Sequence, residues 1–526
     1  MGLSGTGGSV QSSRSPDTRR WLWLAVGLAA LLVFTLTPAP SGLKPEAWHT
    51  LGIFSCTVIW WVSEALPIPV TAALIFLLLA LTGVMPLKSS IESGFGSPLV
   101  VFLLGALTLS VAFQTSGLSK RITRSILRLT GMRAWAVVGA FFWISFVISM
   151  FITDVAVVAM MLPPAIALLT SSRLEAGRSN IGKALMMAIM FGATEGGACT
   201  PAGVSANVAT SGLLEKAAHI HIGFLHWVSL ATPIYVVLGF VTWWLILRMF
   251  RPELASIVPD SSVGAGRMAG TGGPGDVSGR EPGGRRVAAP AGVVAGGGVI
   301  DRGGTGQGDG PGLEGGGRWT RAEVSTAIVF GITVILWLFG GPVLNWDENT
   351  VALLSFGLLF LPGLGVFANW KNAEVRIEWG AILLIVAGVT LGAAAVQTGL
   401  TGWVAKNALA PLAVFPLHVQ PFLMNLLVAI DSIPLSNLGA SASINVPFVI
   451  AYAQNFHFPV LSLALSAGFS AASHYILVTE SPSFVLPYAY GYFSFKDFAK
   501  IGVVVTLLGG VLISTGMALY GFPATA

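Results

Sequence analysis

Two apolar runs in this chain are broken by polar residues of matching type. Ser149, Thr153 and Asp154, followed by Val155, interrupt a run that closes at Pro164. Ser432, Ser436 and Asn437, followed by Leu438, interrupt another that closes at Pro447. One interval of 283 residues separates Ser149 from Ser432, Thr153 from Ser436 and Pro164 from Pro447. Gln114 and Gln397 keep the same interval, as do Gly105 and Gly388. Unwound backbone in an apolar setting offers carbonyls and hydroxyls to a cation, and the adjoining helix N-termini offer amides to an anion. A lone serine or threonine in a membrane helix usually bonds its own backbone or packs an interface. Paired placement in two halves points instead to one binding site between two repeats. Asp154 strengthens the point, because a carboxylate at membrane depth costs about 2.5–3.5 kcal/mol on insertion scales and so needs a cavity or a partner.

The elements around these residues belong to a membrane. Of 526 residues, 54% are hydrophobic and only 10% are charged, whereas soluble domains carry roughly 25% charged residues. The mean hydropathy is +0.79. The net charge of +5 fits basic cytoplasmic loops better than nucleic-acid binding. Cys56 and Cys199 lie far apart in apolar stretches and give neither a disulfide framework nor a metal motif. No HExxH, P-loop or GxSxG pattern occurs, which removes support for an intramembrane protease, a transport ATPase or a lipase.

The expected fold class is an all-α polytopic membrane protein with two inverted-topology repeats. About eleven transmembrane helices and two re-entrant hairpins are expected, because residues 135–169 and 409–453 are too long for single crossings of about 20 residues. With both treated as hairpins and the N-terminus cytoplasmic, basic residues gather on one side. Lys120, Arg121, Arg124, Arg128, Arg133, Arg173, Arg178, Lys183, Lys371, Arg376, Lys496 and Lys500 fall inside. The first hairpin then opens from the cytoplasm and the second from outside. The expected divisions are a cytoplasmic N-terminus over 1–20, a first helix and loop over 21–47, and a first repeat over 48–250. A Gly-rich, flexible cytoplasmic linker over 251–320 and a second repeat over 321–526 complete the chain. A multi-pass protein of a cell (inner) membrane follows.

The run Trp60-Trp61-Val62-Ser63-Glu64-Ala65-Leu66-Pro67-Ile68-Pro69-Val70-Thr71 resembles the signature of the divalent anion/sodium symporter family, whose members carry di- and tricarboxylates or sulfate. The order of elements agrees from about Trp48 to the C-terminus. Glu195-Gly196-Gly197 with Thr200, Gly203 and Asn207 resembles that family's first broken helix. Ser436-Asn437-Leu438 resembles its second tip, and Thr479-Glu480-Ser481-Pro482 falls near its second broken helix. The resemblance implies a secondary active transporter working by alternating access, not an enzyme, in the bilayer and as a homodimer. Its substrate would be a small anion, with the di/tricarboxylate class favoured. Thr153, Asp154, Val155, Ser436, Asn437, Leu438, Thr200, Pro201, Ser481 and Pro482 would face substrate. Ser149, Thr153, Asp154, Gly197, Ser432, Ser436, Asn437 and Thr479 would hold cations. Sodium ions, or protons, are the implied coupling ions, with no other cofactor and no transition metal.

The chain departs from the family pattern at both tips. Asp154 stands where the family has asparagine, and Val155 and Leu438 replace the threonines that offer hydroxyls to substrate. Glu195 and Glu480 add carboxylates near the broken helices, and a buried carboxylate opposes a dianion unless a cation or proton intervenes. Asp154 is therefore a sodium ligand, a proton carrier, or the mark of a less anionic substrate. The alternatives are a proton-coupled transporter, an exchanger for another cargo such as sulfate, and a non-transporting membrane sensor.

Overall fold

A computed structural model describes residues 18–63, 65–118, 121, 133–253, 318–364, 366–432 and 437–520. Ser436, Glu64, the Gly-rich segment and most of the basic stretch after Leu118 lie outside the described residues. The protein is all-α. The first half runs α1 (Thr18–Leu36), α2 (Pro45–Ser63), α3 (Ile68–Leu81), α4 (Leu87–Phe95), α5 (Leu99–Thr115), α6 (Ala134–Ser149), α7 (Asp154–Ser171), α8 (Asn180–Ala198), α9 (Ser205–Ala218) and α10 (Phe224–Met249). The second half runs α11 (Arg321–Leu344), α12 (Glu348–Leu358), α13 (Trp370–Glu374), α14 (Trp379–Thr398), α15 (Leu400–Asn407), α16 (Gln420–Ser432), α17 (Leu438–Asn455), α18 (Val460–Ala472), α19 (Pro482–Tyr488) and α20 (Phe495–Tyr520).

The sequence interval reappears in the element boundaries. α5 and α14 end at Thr115 and Thr398, and α6 and α16 end at Ser149 and Ser432. α7 carries Pro164 and α17 carries Pro447 at the equivalent internal position. α6 has 16 residues and α16 has 13, which gives lengths of roughly 24 and 20 Å. Both fall short of a hydrocarbon core of about 30 Å. Five helices among the described residues are individually long and apolar enough to cross a membrane: α7, α10, α11, α14 and α20. α4 and α5, bent by 48° at their junction, pass the same test only together. Shorter apolar helices at Arg20–Leu36, Ile68–Leu81, Ala134–Ser149 and Val460–Ala472 fall below that length.

Helix ends are set by local chemistry. Ser179 caps α8 by accepting from the Gly182 amide at 3.0 Å, and Asp347 caps α12 by accepting from the Thr350 amide at 2.7 Å. Thr320 and Glu323 cap α11 reciprocally. α8 is buried along nearly its whole length, whereas α1, α10 and α11 turn Trp21, Leu32, Phe240, Trp244, Ile335 and Phe339 outward. An apolar exterior around a core that contains polar groups is what lipid as solvent selects.

Two clasps flank the residues between 254 and 317. On one side the Glu253 carboxylate accepts from the Ser179 hydroxyl at 2.6 Å and from the Ile181 amide at 3.0 Å. On the other, Arg121 donates twice to Glu323, at 3.1 and 2.9 Å, with its guanidinium 4.7 Å from the Trp319 ring centre. A bidentate pair of this kind exceeds a monodentate surface bridge in strength and directionality. Replacing Arg121 by lysine is expected to lower the thermal inactivation temperature of the detergent-solubilised protein by a few degrees, with Arg121→Ala lower still. Identical melting curves for all three proteins would remove this clasp from the stability argument.

Candidate functional site

The first polar break forms a short tip between α6 and α7. Asp154 opens α7, and its amide donates to the Gly203 carbonyl at 3.2 Å. The Thr200 hydroxyl donates to the Met150 carbonyl. The unwound stretch between α8 and α9 is thereby tied to the tip. Asn207, buried at the start of α9, holds that stretch open: its side-chain amide donates to the carbonyls of Gly197 at 3.0 Å, Ala198 at 3.2 Å and Thr200 at 2.7 Å. Close approach requires glycine here, since a β-carbon on Gly203 would meet backbone atoms of Gly197 and Ser149. Replacing Asn207 by alanine would strip a donor from these buried carbonyls. About 1–3 kcal/mol of stability should be lost for each group left unsatisfied, seen as a lower melting temperature with sodium present or absent.

Several oxygens at the tip lack partners. Thr153 Oγ1, Asp154 Oδ2 and Asn207 Oδ1 are buried with no hydrogen-bond donor. The Ser483 and Thr194 hydroxyls lie beside the Asp154 carboxyl, and Ser149 Oγ donates to the Ile152 carbonyl at 3.3 Å. Native proteins rarely leave buried acceptors unpaired. A group of acceptors with too few donors has the chemistry of a cation site.

The second break is built from different bonds. The Ser432 and Ser441 hydroxyls bond each other. Asn437 caps α17, accepting from the Ala440 amide at 3.0 Å, and the Asn445 side chain donates to the Ser441 carbonyl at 3.0 Å. Ser481 caps α19. Thr479 is exposed and makes no hydrogen bond recorded among the described residues. Glu480 is buried, with one oxygen accepting from the Ile476 amide at 2.9 Å and the other unpartnered. His474 is buried, its Nδ1 3.0 Å from the Ser470 carbonyl. Glu195 is buried and accepts from the Thr242 hydroxyl at 2.6 Å.

Both breaks open onto one cavity of about 210 Å3. Thr153, Asp154 and Val155 line it from the first tip, Asn437 and Leu438 from the second, and Ser481 and Pro482 from the start of α19. Phe102 on α5 and Ile385 on α14, again 283 residues apart, also line it. Thr200, Pro201, Gly197, Ser149, Ser432 and Thr479 are not part of this lining. Sequence reasoning missed Glu378, which lines the cavity just before α14 and keeps an exposed face. Its only sequence signal is a carboxylate immediately ahead of an apolar run. It also missed Ser205 in the lining and Ser483 beside Asp154. A larger groove of about 550 Å3 beside Phe95, Phe356, Trp370 and Trp379 is lined only by apolar side chains and suits hydrocarbon rather than a solute.

A multi-pass helical membrane protein with a largely apolar cavity into which both polar breaks place a few polar groups has the makings of a solute transporter. The family model described as the sodium:sulfate symporter transmembrane region matches residues 18–524. The chain belongs to that family and is a transporter rather than an enzyme. It is 24% identical to an uncharacterised transporter of Haemophilus influenzae over 489 residues, covering 90% of this chain and 91% of the relative. It is 22% identical to the sodium-dependent dicarboxylate transporter SdcS of Staphylococcus saprophyticus, covering 96% of this chain and 92% of the relative. Among solved structures, the Alcanivorax borkumensis YdaH transporter shares the fold with a TM-score of 0.50 at 16% identity, covering 82% of this chain and 88% of that one.

Proposed function

We propose that this protein moves a small anion across the membrane, together with sodium, by alternating access at the cavity between the tips. The observation that carries the reading is that both polar breaks, distant in sequence, line one cavity. Asp154, Thr153 and Ser149, with backbone carbonyls of the unwound stretch at Gly197, form the first sodium site. The unpartnered Asp154 and Thr153 oxygens support it. Ser432, Asn437 and Ser436 form the second site, and the substrate occupies the cavity against Asn437, Leu438, Ser481 and Pro482. Its volume lies below the roughly 300–1,000 Å3 of drug-sized pockets, which favours a small solute. The dicarboxylate class is favoured because the S. saprophyticus relative bears that name.

Voltage sets a minimum coupling. Each elementary charge is worth about 2.3 kcal/mol per 100 mV, so a dianion entering a negative cell is opposed by about twice that. At least two sodium ions are needed to offset it, and the paired tips supply two sites. The inverted arrangement of the tips lets each face one side of the membrane in turn.

The test is uptake of labelled four-carbon dicarboxylates into proteoliposomes, with inward sodium or potassium gradients imposed separately. Stimulation by sodium alone is expected. Equal uptake under both gradients would sink sodium coupling, and no dicarboxylate uptake would sink the substrate class.

A further inference from the structure

The cavity has a charge problem. Asp154 and Glu378 both line it, and no lysine, arginine or histidine is among its described lining residues. Asp154 is nine-tenths buried with an unpartnered oxygen, and the groups beside its carboxyl are the Ser483 and Thr194 hydroxyls rather than a cation. A sodium ion at the first tip would balance Asp154, but Glu378 enters the cavity from the other repeat, at the junction leading into α14. The hydroxyls that would greet a second carboxylate are absent at Val155 and Leu438. A plain dianion in this space faces the Glu378 carboxylate with no cationic side chain among the described lining residues to offset it. A substrate bearing a positive group of its own meets a partner there.

We propose that Glu378 pairs with a cationic group on the substrate, so that the cargo is a small acidic zwitterion, an anion that also carries an ammonium group. Glu378 is then a specificity residue: it selects among anions of equal size by the presence of an amine. This rests on the reading of the cavity as the substrate site. Asp154 belongs to the cation and Glu378 to the substrate, which gives the two carboxylates separate roles.

The experiment compares compounds that differ by one ammonium group. Full-length protein in proteoliposomes, with a sodium gradient, is offered succinate against L-aspartate and ethanesulfonate against taurine. In at least one pair the amino compound should be taken up with about tenfold or greater preference. Glu378→Gln should abolish that preference, mainly by weakening the amino compound, while Glu378→Asp retains part of it. Equal or better uptake of the compound lacking the amine in both pairs overturns the proposal, as does an unchanged ratio in Glu378→Gln. No uptake from either pair overturns it together with the transport reading. Uptake that prefers the amine but ignores sodium upholds Glu378 and overturns only the coupling ion. The wild-type ratio stands even where a variant fails to fold.

Discussion

Replacing Asp154 by alanine is expected to abolish sodium-stimulated uptake, and replacing it by asparagine to raise the half-saturating sodium concentration by about tenfold or more. The carboxylate is 5% exposed, and one of its oxygens has no donor. Asparagine keeps an oxygen at the tip but removes the charge, which separates geometry from electrostatics. The sodium-free protein should respond in the opposite sense. An unpaired carboxylate at membrane depth costs about 2.5–3.5 kcal/mol on insertion scales, so Asp154→Asn should melt higher than wild type when sodium is absent. Adding sodium should then raise wild type by more than the variant, which keeps a weakened first site and the second one, since a ligand at a hundredfold its dissociation constant contributes about 2.7 kcal/mol. Both readouts come from one titration of melting temperature against sodium, with choline as the control salt. A wild-type sodium response in Asp154→Ala would show that this residue is not a coupling ligand.

Replacing Gly196 by valine should remove nearly all transport and most folded protein. α8 packs backbone to backbone on α6 through two glycines four residues apart. A β-carbon on Gly192 would strike the Phe142 carbonyl, and one on Gly196 the Phe146 carbonyl. Neither obstacle is a flexible side chain that can swing away. Small residues at this spacing let membrane helices approach closely, and forcing atoms into such a contact costs about 1–3 kcal/mol or more even for a methyl. The damage is also local to function, because the displaced end of α6 carries Ser149 and the first tip. Gly196→Ala should fall between valine and wild type. Gly357→Ala is the control, with nothing within 4 Å of its added carbon and a helix that gains about 0.8–1 kcal/mol from the change. Uptake by Gly196→Val within twofold of wild type would refute the close-packing account.

The sequence made the pairing of the breaks legible, and physics explains where legibility stopped. A register of 283 residues persists from α5 and α14 through the arms of both tips, because those helices end at equivalent positions in the two halves, to within a residue. It fails in the following elements, where α8 has 19 residues and α18 has 13. Beyond it, Thr479, picked by proximity to a motif, is exposed, while Ser483 a few residues on lies beside Asp154. Glu378 escaped for another reason. It belongs to neither break, and only the folding of α14 against the tips brings it to the cavity. Periodicity and composition report which residues share an element; they do not report which element ends meet.

The clasps at Glu253 and at Arg121–Glu323 carry a consequence for the covalent chain itself. Both tie the flanks of the 254–317 segment to first-half residues by side-chain bonds made outside that segment. Arg121–Glu323 joins the two halves directly, and Glu253 seats the end of the first half on α8, so the peptide connection duplicates an attachment that side chains already make. Two separately translated fragments, cut within 254–317, should reassemble into a working carrier.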